Sequence, residues 1–245
     1  MWIAHFAQGL VAKPFAPRVP LALLTFAGAL PDALFFLLQF LGIETFNFDQ
    51  GIANHAGCFP YTNDYPFSHS LAGMVVSGAV LAVLYKAFAR VPATPKDLAI
   101  IVATSASHFL LEWPSHREDI KLTPNDAVQL GGSLFDHPVA TFLTEVALFF
   151  FGLWVYSTFT PAGSKAGINA NPNLLTMLSV FMVAQQAHFC FGAAPTSETR
   201  WVHAPLFLFE IVASCWMLGW MDGQTNTLGI NGVNGNAPEV LKKLN

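Results

Sequence analysis

Charge is scarce in this chain. Only 11% of its 245 residues are Asp, Glu, Lys or Arg, while 53% are hydrophobic. A soluble domain carries about a quarter charged residues, so this chain has too little polar surface to cover itself in water. The mean hydropathy of +0.48 agrees. Net charge is -4 and no basic patch of nucleic-acid type occurs, which excludes nucleic acid as a partner. Cysteine is rare too. Cys58, Cys190 and Cys215 are scattered without metal or redox spacing, and an odd count gives no disulfide framework. Lys and Arg are missing before the first apolar residues, so the N-terminus does not read as a cleavable signal peptide. It carries no lipidation signal, no Asn-x-Ser/Thr sequon marks the loops, and no internal repeat is visible.

Long apolar runs are plentiful instead, and Phe occurs 23 times. A membrane-crossing helix needs roughly 20 mostly apolar residues. Six segments qualify: 19–43, 68–90, 96–113, 138–160, 172–194 and 200–221. The expected fold is all-α, a polytopic membrane protein of about six transmembrane helices. Residues 2–12 are apolar but too short to span, and read as a re-entrant or interfacial helix ending at Lys13-Pro14. Residues 1–222 form one membrane-embedded domain, and the Gly- and Asn-rich stretch 223–245 reads as a flexible tail. The loops 44–67 and 114–137 are long enough to be lids or site walls.

With six spans, Lys13, Arg18, Lys86, Arg90, Lys96, Lys165, Lys242 and Lys243 share one side, and Arg117, Lys121 and Arg200 the other. The positive-inside rule then puts the C-terminus in the cytoplasm and both long loops outside.

Ionisable groups within spans are costly and mark function. His69 opens the second span, and His108 and Glu112 close the third. His116 and Asp119 follow in the outer loop, with Asp136 and His137 further along it. Asp32 lies halfway along the first span, and His5 two turns before Lys13. The cluster gathers toward the non-cytoplasmic face. His108, Glu112 and His116 are spaced i, i+4, i+8, one helix face until Pro114 interrupts it. A His and a carboxylate one turn apart suit a divalent ion: zinc first, with manganese or iron as alternatives. Ser68 and Ser70 flank His69 as hydrogen-bonding partners. Other groups have plainer readings. His188 and His203 are interfacial hydrogen-bonding groups, His55 is solvated, and Glu145 and Glu210 pair across helices. Asp136 is an N-cap for the next helix, and Asp119 reads as a surface charge as readily as an acid–base group.

His5 in an early helix, Gly28-Ala29-Leu30-Pro31-Asp32, Ser68-His69-Ser70 and Ser107-His108-Phe109-Leu110-Leu111-Glu112 occur in that order. The set resembles the YdjM-like membrane-bound metal-dependent hydrolases, over roughly residues 1–155. It is more similar still to bacterial membrane proteins with YPYSHSL-type and SHxLLDW…HRPDLPL-type segments. Here those read Tyr65-Pro66-Phe67-Ser68-His69-Ser70-Leu71, and Ser107–Trp113 followed by His116-Arg117-Glu118-Asp119-Ile120-Lys121-Leu122. Glu112 stands where the family has Asp. The resemblance implies that His5, Asp32, His69, His108 and Glu112 are metal ligands.

The expected activity is a metal-dependent hydrolase. Its substrate would be a lipid or other amphipathic ester or phosphodiester, with Glu112, His116 and Asp119 as acid–base groups. A metal- or acid-dependent isomerase, cyclase or oxidase of a lipophilic substrate is the first alternative. A transporter is the second, although Pro31 marks the one broken helix and has no counterpart in a matching half.

Overall fold

The computed structural model describes residues 1–55, 57–160, 172–192 and 197–233, with side chains as far as Gly223. The chain is a helical bundle. In order it comprises α1 (Ala4–Ala12), α2 (Leu21–Leu41), β1 (Thr45–Phe48), α3 (Gln50–Asn54), β2 (Tyr61–Asp64), α4 (Leu71–Phe88), α5 (Pro95–Ser115), α6 (Pro138–Phe159), α7 (Pro172–Phe191) and α8 (Ala204–Val233). A π-helical turn, Thr199–His203, leads into α8.

Five helical segments are long and apolar enough to cross a membrane: Leu21–Phe40, Leu71–Phe88, Pro138–Phe159, Pro172–Phe191 and Thr199–Gly223. Their outward faces carry Val76, Val83, Phe151, Trp154, Phe209 and Trp216, all exposed. A water-soluble protein does not display so continuous an apolar surface. This is the surface of a membrane protein.

Four features differ from the expectation. The third expected span, α5, has 21 residues and the length to cross. It lacks the apolarity, because Lys96, Asp97, Glu112 and several Ser and Thr lie along it. Second, the 44–67 loop is not wholly irregular: β1 and β2 pair antiparallel, Thr45 opposite Asp64 and Phe48 opposite Tyr61. Third, of the two readings of residues 2–12, re-entrant or interfacial, burial almost all round α1 sets aside the interfacial one. Fourth, α8 runs ten residues past the expected start of the tail, with no proline to stop it before Val233. The remainder of that tail, 234–245, lies outside the described residues.

Helix α1 places the site, and small residues let it in. It packs against α2, α5 and α6. A Cβ on Gly9 would come within 2.3 Å of the Thr25 backbone nitrogen, and one on Gly28 within 2.3 Å of the His5 carbonyl. Backbones this close leave no room for any side chain. The exposed N–H groups at the start of α1 need partners in an apolar interior. Glu145 Oε2 on α6 accepts from the Trp2 and Ala4 N–H groups, and Gln186 Oε1 on α7 accepts from Ile3 at 3.2 Å. Glu145 is therefore the cap of a buried helix.

The other ends of the site helices are fixed by standard local chemistry. Thr94 and Asp97 form a capping box at the start of α5, with Pro95 in its first turn. Ser70 caps α4 by accepting from the Gly73 N–H at 3.1 Å. The carbonyls of Lys121 and Leu122 accept from the N–H groups of Leu71 and Ala72. The segment 116–122 thus caps the helix that 65–71 begins, which places both motifs together.

Candidate metal centre

Six ionisable side chains meet where the end of α5 reaches the start of α4. They are His5, Asp32, His69, His108, Glu112 and His116, and all are buried. Three overlapping sets have ligand atoms within 4.8 Å of one another: His5–His108–Glu112, Asp32–His69–His108 and His69–Glu112–His116. The five residues expected to be metal ligands all fall in this one cluster.

The ring nitrogens are sorted by their outer partners. His108 Nδ1 lies 2.7 Å from the Gly28 carbonyl, which can only accept. That nitrogen carries the proton, so Nε2 has its lone pair free and faces Asp32 and Glu112 at 3.6 and 3.7 Å. His69 Nδ1 lies 2.9 Å from Ser68 Oγ, and Ser68 donates its own proton to Glu44 Oε2 at 2.7 Å. Ser68 Oγ is therefore an acceptor for His69 Nδ1, which turns Nε2 toward Asp32 Oδ1, 3.2 Å away. Glu44 is held in turn by the N–H groups of Phe67 and Ser68, at 2.8 and 2.9 Å. Outer hydrogen bonds of this kind orient metal-ligating histidines.

Several inner atoms have no such satisfaction. Both His5 ring nitrogens, His108 Nε2 and Asp32 Oδ2 are buried without a hydrogen-bond partner among the described residues. His5 Nε2 lies 2.6 Å from Glu112 Oε1, yet without hydrogen-bond alignment. Its ring stacks on that of His108 at 3.7 Å between centroids. Orphaned buried polar atoms are costly, and here they converge instead of dispersing. Neutral imidazoles and carboxylates in this arrangement fit a divalent cation of the zinc, manganese or iron type.

His116 is held differently. Its Nε2 contacts Glu112, while Nδ1 lies 3.0 Å from Asp119 Oδ1 and 2.6 Å from Tyr65 Oη. Burial opposes a charge on His116, but Glu112 and Asp119 outweigh it and raise its pKa to about 9. Burial, reinforced by Asp119, holds the Tyr65 phenol well above its ordinary range, so it stays protonated. The amino group of Met1 also contacts Glu112.

A cavity of about 20 Å³ adjoins the cluster. It has room for roughly one water. Asp32, His69 and His116 form its polar side, and Trp2, Phe35, Phe36, Phe59, Phe135 and Phe189 its aromatic side.

The remaining residues fall elsewhere. His203 Nδ1 lies 3.2 Å from Tyr61 Oη, and His55 Nδ1 pairs with the Gly51 carbonyl on the surface. Asp136 does not cap α6: its carboxylate is committed to Arg117, 2.7 Å away. Sequence reasoning missed Tyr65, Glu44 and the aromatic wall. Tyr65 stood inside a quoted motif, but Glu44 carried no signal before the loop was seen to fold back. No family model, curated protein or solved structure matches this chain.

Proposed function

We propose that the protein is a membrane-embedded, metal-dependent hydrolase of an amphipathic ester or phosphodiester, as its resemblance to the YdjM-like hydrolases implies. The observation that carries this reading is the convergence of imidazole and carboxylate atoms from α1, α2, α5 and the turn before α4 on one buried point, several of them without a hydrogen-bond partner among the described residues. His5, Asp32, His69, His108 and Glu112 would hold the ion. A divalent ion supplies Lewis acidity there, polarising a phosphoryl or acyl oxygen and acidifying water.

The chain's own residues do the rest. His108 and His69 turn Nε2 toward the site because Gly28 and Ser68 engage Nδ1 on the far side. His116 carries a proton between Glu112 and the chamber, and Asp119 orients its ring. The aromatic wall excludes bulk water from the small chamber beside the cluster. An apolar groove of about 560 Å³ between α2 and α4 gives a substrate tail a place in the lipid layer. Phe67 lines it, immediately before Ser68 and His69. With the positive-inside orientation, the centre faces the non-cytoplasmic side.

The aromatic side of the chamber favours a second reading, acid- or metal-driven isomerisation or cyclisation of a lipophilic substrate. Product mass separates the two. The experiment is metal analysis of the detergent-purified protein beside a His69→Ala/His108→Ala variant, followed by a screen of phospholipids. Stoichiometric metal lost in the variant, with products heavier by one water, supports hydrolysis. A well-folded parent that binds no divalent metal at any supplied concentration overturns it.

A further inference from the structure

The polar cluster holds more donors than one ion uses. A zinc-type site takes four ligands, and a catalytic one keeps only three from the protein. Here four histidines and two carboxylates converge: His5, His69, His108 and His116 with Asp32 and Glu112. The histidines divide into two pairs. His5 and His108 stack ring on ring at 3.7 Å between centroids, and the Nε2 of each lies 3.6 Å from an Asp32 oxygen. His69 and His116 form the second pair, with ring centroids 5.6 Å apart.

Both carboxylates are shared between the pairs. Glu112 Oε1 lies 2.6 Å from His5 Nε2 and 3.7 Å from His108 Nε2, whereas its Oε2 contacts His116 Nε2. Asp32 Oδ2 faces His5, and its Oδ1 faces His69 at 3.2 Å as well as His108. A carboxylate whose two oxygens face different histidine pairs is placed to bridge. The second pair has further acidic support. Asp119 Oδ1 lies 3.0 Å from His116 Nδ1, and Ser68 links His69 Nδ1 to Glu44. Carboxylates in that outer position orient ligating histidines and raise their basicity. The pairs also differ in access. His69, His116 and Asp32 line the chamber of about 20 Å³, whereas His5 and His108 are fully buried and do not.

We propose that the centre takes two divalent cations, one at His5–His108 and one at His69–His116, with Glu112 and Asp32 shared between them. The inference rests on the metal reading of this cluster and adds a second position to it. It makes His116 a ligand as well. With one cation bound, His116 keeps the proton that it holds toward Glu112 Oε2; a second cation takes that proton's place. Asp119 then accepts from the proton left on Nδ1. The two positions are unequal. The His5–His108 position is enclosed, as structural sites are, and the His69–His116 position opens on the chamber, as catalytic sites do.

The test dialyses the detergent-purified full chain to equilibrium against graded Mn²⁺ and counts bound metal per chain. Electron paramagnetic resonance then reads whether the ions are coupled. The parent should saturate at two Mn²⁺ per chain and give the exchange-coupled spectrum of a carboxylate-bridged pair. His116→Gln and His108→Gln should each saturate at one and give the spectrum of an isolated ion. The parent's own count and spectrum decide the matter if either variant fails to fold. Saturation of the parent at one ion overturns the second position and leaves the hydrolase reading standing, whereas no bound ion at any concentration overturns both. Two ions without coupling overturn the shared carboxylates. Two ions retained by a folded His116→Gln overturn its place as a ligand.

Discussion

Gly28→Ala is the sharpest perturbation of the centre, because it touches no ligand. A methyl there would sit 2.3 Å from the His5 carbonyl, and separations under 3.0 Å essentially never occur. Helix α1 must therefore back away by about 0.7 Å or more, carrying His5 with it. Ligand sets need placement within about 0.5 Å, and a displacement near 1 Å costs on the order of 100-fold in rate. Gly28 also presents the carbonyl that fixes the His108 tautomer. The expected result is a 10- to 100-fold loss of metal affinity, on the order of that seen when an outer hydrogen bond is removed. Stability gives an independent sign. Ala is the better helix former by about 1 kcal/mol, whereas overpacking costs about 1–3 kcal/mol, so the variant should melt lower. Metal affinity by chelator competition and thermal unfolding in detergent are the assays. Gly223→Ala is the control, since a Cβ there meets nothing within 4 Å. A Gly28→Ala protein that melts higher and binds metal as tightly as the parent would refute the reasoning.

Further expectations follow from the same geometry. Asp32→Asn keeps the shape but halves the anionic ligand set, so metal content should fall by about 100-fold or more in affinity; unchanged content would place the ion elsewhere. Ser68→Ala removes the acceptor of His69 Nδ1 and a donor to Glu44. A 10- to 100-fold loss of affinity is expected, read by the same competition assay. Lys13 Nζ and Asp222 Oδ2 form a buried pair at 2.8 Å, at the far end of α1 from the centre. Lys13→Met strands a charge and should cost about 3–5 kcal/mol of stability while sparing metal stoichiometry. Glu145→Ala uncaps α1, leaving buried N–H groups unpaired at about 1–3 kcal/mol each. Faster amide exchange at Trp2 and Ala4 is the readout.

The legible parts of this protein are those where chemistry repeats locally. His108 and Glu112 sit one turn apart on α5, and spacing alone put them on one face. Asp32 drew notice because a carboxylate in an apolar helix needs a partner. What spacing could not convey is which helices touch. His5 meets Glu112 only because Gly9 and Gly28 let two backbones approach to near contact. Glu145 looked like a cross-helix ion-pair partner, whereas it caps a helix end that burial had left without water.

Helix α5 shows why the hydropathy of a span and its function compete. A helix facing lipid on one side and a polar centre on the other divides its residues between two solvents. Leu110 and Trp113 are exposed on the lipid side, whereas Ser105, His108, Glu112 and Ser115 are fully buried. Averaging along the sequence mixes the two faces, so α5 falls below the apolarity of a span although it has the length. Helix α4 lies beside it and has almost nothing buried but Met74, Gly78 and Ala82, so the same average reads it without difficulty. The helix that contributes two of the converging side chains is therefore the one whose average hydropathy falls lowest. In such a bundle, a long, capped, moderately polar helix is where a buried polar cluster should be sought first.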